Sequence, residues 1–320
     1  MSSDGGVLGV TVTGASGLVG RTLIPALQAR GAEVTVLSRD PDRARSALDP
    51  AAAGPPHVLA WDPMHEAAPA EGLAGRDCVL HLAGEPVAQR WSAKAKRAIR
   101  DSRVIGTRNL VEGLRRVDRL GVAQHPRTLI SSSAIGYYGA HGEEPLDEET
   151  PPGSDFLAQV CVAWEQEASM ASELGMRVVQ VRTGVVLDAR GGALGKMLLP
   201  FRLGVGGPVA GGRQYISWIH AEDLVEMMLA AREDESWIGP INATAPEPVA
   251  NGDFAKLLGR VLRRPTFLPV PALALELLYG RMAQIITTGA RAVPAKPLVL
   301  GYEFRHPDLE QALRSAIAAG

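Results

Sequence analysis

Thr13-Gly14-Ala15-Ser16-Gly17-Leu18-Val19-Gly20 follows a β-rich run, Val7–Val12, and opens an amphipathic segment that reaches Ala29. A chain that turns this sharply from strand to helix needs residues that tolerate positive φ. A diphosphate comes close to the backbone only where side chains are missing. Glycine meets both needs. The helix that follows offers free N–H groups and the positive end of its dipole to an anion. The spacing GxxGxxG, between strand and helix and close to the N-terminus, assigns Gly14, Ala15, Ser16, Gly17, Leu18, Val19 and Gly20 to a dinucleotide's diphosphate. A P-loop is excluded twice: Ala15 stands where GxxxxGK[ST] needs its first glycine, and Arg21 where it needs lysine.

Outward from this turn, short β-rich runs alternate with longer helical patterns. Strands are expected at Glu33–Leu37, His57–Ala60, Cys78–Leu82, Arg127–Ser131 and Arg177–Val181. Helices are expected over Ser92–Arg116 and Phe156–Leu174. Such alternation predicts an α/β fold, a Rossmann-type doubly wound parallel sheet with helices on both faces. Residues 1–187 form its dinucleotide-binding domain. Tyr215–Ile219 and Pro240–Asn242 are short strands expected to rejoin that sheet, so 215–245 belong with it. The rest of 188–320 is glycine-rich, then helical and broken by Pro265, Pro269, Pro271, Pro294 and Pro297. It reads as a smaller, interleaved substrate-side domain.

The end of the second strand selects the dinucleotide. An acidic residue there would bind a ribose 2′-hydroxyl; this chain has Leu37-Ser38-Arg39. A hydroxyl followed by a guanidinium suits a 2′-phosphate, because Arg makes bidentate charge-assisted bonds. NADP(H) is therefore expected rather than NAD(H). A net charge of −2 announces neither nucleic acid nor membrane lipid as a partner. The two cysteines, Cys78 and Cys161, form no CxxC or Cys/His cluster, so neither a disulfide scaffold nor a metal site is expected. No signal peptide or membrane-length apolar run is recognisable, and a cytoplasmic monomer or homodimer acting on a small molecule is the expectation.

The chain resembles the extended and atypical short-chain dehydrogenase/reductases, most closely the NAD-dependent epimerase/dehydratase-like proteins of the SDR39U1-type epimerase family. The resemblance is carried by TGASGLVG at Thr13–Gly20, LSR at Leu37–Arg39, WDP at Trp61–Pro63 and HLAGEPVAQRW at His81–Trp91. DSRVIGTRNL at Asp101–Leu110, SSSAIGYYG at Ser131–Gly139, WEQEA at Trp164–Ala168 and RTGVVL at Arg182–Leu187 continue it. MLLPFRLGVGGPVAGG at Met197–Gly212, SWIHAEDL at Ser217–Leu224 and a small C-terminal domain from Asn251 complete it.

The resemblance implies further site residues. Trp61 and Asp62 follow the third strand, beside the adenine. Leu82, Ala83 and Gly84 follow the fourth, under the adenine ribose. Arg103 takes the helix position where relatives place an Asn. Val185 and Val186 lie near the nicotinamide. Ser131 and Ser133 end the fifth strand, where relatives place a catalytic hydroxyl. His220 and Asp223 are expected to cap a helix and tie the two domains together. Active extended members carry Tyr-x-x-x-Lys on the next helix; here Leu157 and Cys161 hold those positions. The expected function is an NADP(H)-dependent oxidoreductase or epimerase in which Ser133 orients the reacting oxygen and Tyr138 or water handles the proton. The alternative is a catalytically weak NADP(H)-binding sensor or scaffold.

Overall fold

Val10, Val12, Val36, Val79, Leu80, Leu129, Ile130, Val179 and Val181 are all fully buried. Apolar runs buried on both sides belong to parallel strands covered by helices on both faces. The computed structural model, which describes residues 8–48, 54–121 and 125–320, contains that sheet. Its strands are β1 Gly9–Thr13, β2 Glu33–Ser38, β3 His57–Ala60, β4 Cys78–His81, β5 Thr128–Ala134, β6 Arg177–Thr183 and β7 Gly239–Ala243. They lie in the order β7-β6-β5-β4-β1-β2-β3, every neighbouring pair parallel. Strand order reverses between β1 and β4. The crevice therefore opens where Thr13–Gly14 and His81–Gly84 leave the sheet.

Helix α1, Leu18–Ala29, packs with Ala221–Glu233 on one face of the sheet; α3, Ala93–Leu120, packs with α4, Phe156–Ser169, on the other, while the short α2, Pro41–Ala47, joins β2 to β3. Ser92 caps α3 through Ala95 N, and Gly121 ends it at φ 58°, one turn beyond the expected end at Arg116. α4 stops at Ser169 and continues to Leu174 as a 3-10 turn closed by Gly175, so the expected single helix is two segments. Val7, expected to begin the first strand, lies outside the described residues.

A further hydrophobic cluster lies beside the sheet. Gly192–Arg202, Asn251–Leu262 and Leu309–Ala318 gather around Leu187, Trp218, Phe254, Leu258 and Leu313. Of the two strands expected to rejoin the sheet, only Gly239–Ala243 does. Tyr215–Ile216 pairs antiparallel with Val249–Ala250, and Trp218–His220 pairs with Val185–Leu187. The edge beside β6 has room for one strand, and β7 occupies it. His220 Nδ1 accepts from Glu222 N at the start of the Ala221–Glu233 helix. His220 thus caps that helix, while Asp223 accepts from Arg305 N and His306 N and ties the helix to the C-terminal segment.

Candidate functional site

The turn after β1 is built on three glycines with different physical duties. Gly14 has φ +71°, and a Cβ on it would stand 2.7 Å from the carbonyl carbon of Leu82. A Cβ on Gly20 would stand 2.5 Å from Ala15 O. These two let β1, α1 and the end of β4 close together. Gly17 differs: its Cβ would meet only Gly14 O, at 3.1 Å, and otherwise open space. Gly17 is also the N-cap of α1, with no side-chain cap and no acid in the first turn. A helix start left bare of side chains, beside a bare backbone turn, suits a diphosphate.

A buried strap holds the other wall. Thr13 Oγ1 accepts from Leu82 N at 3.1 Å and Ala83 N at 3.2 Å, and lies 2.8 Å from His81 Nδ1. His81 Nε2 lies 3.0 Å from Thr107 Oγ1 on α3. The chain of bonds closes with a neutral ring whose proton sits on Nε2. Burial alone depresses His81 from 6.5 to about 4. The unfolded chain thus takes up the proton at a higher pH than the folded one. The stability tied to neutral His81 is complete above the unfolded value of 6.5 and is lost as the pH falls toward 4. Going from pH 7 to 5 is expected to cost about 2 kcal/mol through this residue. Urea unfolding of the parent and of His81→Asn at both pH values checks it; an equal pH effect in the two proteins would refute the assignment.

At the end of β2, Arg39 is exposed, and its charge helps hold the Asp62 carboxyl below its usual range, after the bonds Asp62 receives from Met64 N and His65. Ser38 Oγ is engaged with the backbone of Asp40. Trp61 N donates to Ser38 O, so the ends of β2 and β3 form one platform. The Trp61 indole itself is buried, with Nε1 donating to Glu66 O, so Trp61 offers an adenine its backbone and not its ring. Val185 and Val186 are half-buried beside the cleft, and the Gly191–Gly192 turn beyond them packs on Leu18.

Arg103 reaches from α3 to the end of β4. Its Nη1 donates to Glu85 O and Ile99 O, both at 3.0 Å, and its guanidinium lies 5.0 Å from the Trp164 ring centre. A Cβ on Gly84 would stand 3.2 Å from the Arg103 guanidinium carbon. Arg103 lies on α3, within the helix expected over Ser92–Arg116, and its charge lies against Gly84.

The fifth strand carries both expected serines. Ser131 is fully enclosed, its hydroxyl donating to Ser132 O, and Ser133, on the same face of β5, is buried as well. Ser133 Oγ donates to Glu165 Oε1 at 2.6 Å. Arg182 grips both oxygens of Glu165 at 2.9 Å. Neither Glu165 nor Arg182 had been given a role from the sequence. The available signal was spacing, since Glu165 lies one helical turn beyond Cys161 on the same face of α4.

Tyr138 is not placed to handle a substrate proton. It is fully buried, its hydroxyl meets Asn242 Oδ1 at 2.7 Å and Asp147 O at 2.9 Å, and it accepts from Arg182 Nη1 at 3.1 Å. Burial pushes it up to about 12. The residue ties the turn after β5 to the edge strands β6 and β7. Burial likewise pushes the Cys161 thiol up to about 12, which removes a thiolate from consideration. Leu157 and Cys161 line the floor under Gly136, with a Gly136 Cβ position 3.4 Å and 3.9 Å from their atoms.

Comparison with known proteins bears on family and fold. A family model described as the NAD dependent epimerase/dehydratase family matches residues 10–241, and a domain of unknown function, DUF1731, matches 270–316. The chain is 38% identical over 306 residues to the chloroplastic epimerase family protein SDR39U1 homolog of Arabidopsis thaliana, covering 96% of this chain and 86% of that protein. It is 36% identical to the epimerase family protein YfhF of Bacillus subtilis, covering 97% and 98%. A crystal structure of human epimerase family protein SDR39U1 (isoform 2) with NADPH superposes with a TM-score of 0.83 at 31% identity, covering 97% of this chain and 99% of that one.

Proposed function

Because the chain belongs to the NAD-dependent epimerase/dehydratase family, we propose that it is an NADP(H)-dependent oxidoreductase or epimerase that works on a small substrate without the usual Tyr/Lys pair. The observation that carries this reading is the bare helix start at Gly17, in line with a β2 end that offers Ser38 and Arg39 and no acid. The human relative crystallised with NADPH supports the choice of dinucleotide. When bound, the dinucleotide would supply or accept hydride at a carbinol carbon. Gly14 to Gly20 would hold its diphosphate and Arg39 its 2′-phosphate. Leu82, Ala83 and Gly84 would let it cross the strand ends. Arg103 brings a cation to this wall, where Cys161 leaves the usual lysine's charge missing.

Ser133 carries the chemistry on the protein side. Its own proton is committed to Glu165, so its oxygen is free to accept from a substrate hydroxyl. A proton taken there can pass from Ser133 to Glu165, whose charge is balanced by Arg182. This replaces the route through Tyr138. A second reading, an NADP(H)-binding sensor without turnover, is favoured by one observation: the helix position of the usual lysine holds a buried, neutral thiol.

NADPH is expected to bind about ten- to a hundredfold more tightly than NADH, and Arg39→Ala to erase most of the difference, since a charge-assisted Arg bond contributes about 1.5–3 kcal/mol. Fluorescence titration measures both. Equal affinities in the parent protein would defeat the assignment of Arg39.

A further inference from the structure

Nine of the fifteen exposed large hydrophobic side chains among the described residues fall in two segments of the smaller domain, 199–205 and 267–285. Scattered exposed leucines need no explanation; a concentration like this one does. The segments adjoin. Arg264 Nε donates to Arg202 O at 2.9 Å, Val270 N donates to Pro208 O at 2.8 Å, and Gly204 lies beside Pro265. Helix Ala272–Tyr279 follows at once, and none of its eight residues is buried. Leu275 and Tyr279, one turn apart, are partly covered, whereas Leu273 and Leu277, also one turn apart, expose 66% and 72% of their surface. Phe267 at 77% and Leu203 at 68% extend the same apolar surface.

Its charge is one-sided. Residues 196–213 and 260–285 together contain seven Lys and Arg and a single acid, Glu276, in a chain of net charge −2. Arg202, Arg263, Arg264 and Arg281 are all exposed. A second copy of the chain would bring like charge against like charge on this face. Aliphatic side chains standing out among guanidinium groups are the composition of a surface that sinks shallowly into lipid and holds its headgroups. No described helix is long and apolar enough to cross a membrane, so the contact is peripheral.

We propose that this face docks on an anionic phospholipid surface, with Leu273, Leu277 and Phe267 entering the headgroup region and Arg202, Arg263, Arg264 and Arg281 meeting phosphates. Gly280, at the end of the exposed helix, lies against Arg90 in the loop that leaves Gly84. Docking therefore turns the loop that follows β4 toward the bilayer.

Flotation of the full-length protein with two kinds of vesicle tests the proposal: pure phosphatidylcholine, and phosphatidylcholine with roughly one third phosphatidylglycerol. The protein is expected to float with the second and not the first, and to be released by high salt. The pair Leu273→Ser with Leu277→Ser, and separately Arg263→Glu with Arg264→Glu, are each expected to lower binding about tenfold or more. Both pairs should keep the parent's circular dichroism and NADPH affinity, since they lie away from the glycine turn. A folded parent that stays at the bottom with anionic vesicles overturns the proposal. So does undiminished binding by either pair. A dimer seen by sedimentation and abolished by the serine pair would assign the face to a second copy instead.

Discussion

Gly17→Val is expected to abolish NADPH binding while leaving a folded protein. The backbone of Gly17 is extended, at φ −75° and ψ 173°, which any residue can adopt. Its added carbon would meet only Gly14 O, at 3.1 Å, a contact that a small shift relieves. The fold therefore tolerates the side chain. The diphosphate does not, because the branched carbon stands over the first N–H groups of α1, where the phosphate oxygens would sit. Loss of even two charge-assisted bonds of about 1.5–3 kcal/mol each lowers affinity more than about a hundredfold. Gly20→Ala is the control with the opposite outcome. Its Cβ would stand 2.5 Å from a backbone oxygen inside the turn, so the fold itself should suffer. Circular dichroism, thermal unfolding and fluorescence titration of both variants decide the matter. A well-folded Gly17→Val that binds NADPH normally would mean that the phosphates lie elsewhere.

The sheet and its glycine turn were legible because they rest on local chemistry. Buried β-branched runs alternating with amphipathic helices have few other solutions, and strand, turn and helix occupy adjacent residues. What the sequence hid was which partners the fold brings to each side chain. Ser131 and Ser133 lie on one face of β5 and both are buried, yet Ser133 is the one that meets Glu165. Tyr138 looked like a proton donor because its ring type allows it; only the fold brings Asn242, 104 positions away, to its hydroxyl. His81 drew no attention as a lone histidine in a strand, because Thr13 and Thr107 come to it from other elements. Competition for a sheet edge is also invisible locally, which is why Tyr215–Ile219 was expected in the main sheet and Gly239–Ala243 alone took the place.

Ser133→Ala is expected to slow turnover of a true substrate about 10²–10⁴-fold, with NADPH affinity hardly changed. A hydride leaves a carbinol efficiently only if the hydroxyl proton leaves too. With neither Tyr nor Lys on α4 and Tyr138 fully enclosed, the oxygen of Ser133, itself largely buried, is the acceptor we propose. Glu165→Gln should slow the reaction as well, since the amide oxygen can accept the Ser133 bond but cannot take up the proton. Tyr138→Phe should behave differently. It leaves Asn242 Oδ1, Asp147 O and Arg182 Nη1 short of a partner in the interior, which costs about 1–3 kcal/mol of stability, while the folded fraction keeps its rate. Cys161→Ala should also keep its rate, because a thiol held neutral by burial is packing. Common nucleotide sugars should epimerise very slowly or not at all, since α4 carries no tyrosine to serve as the acid. The measurements are kcat and KM for each variant, with urea unfolding in parallel to separate rate from stability. Unimpaired turnover by Ser133→Ala would end the serine route. Brisk epimerisation of a nucleotide sugar, or a large rate loss in Cys161→Ala at normal cofactor affinity, would return a catalytic role to α4.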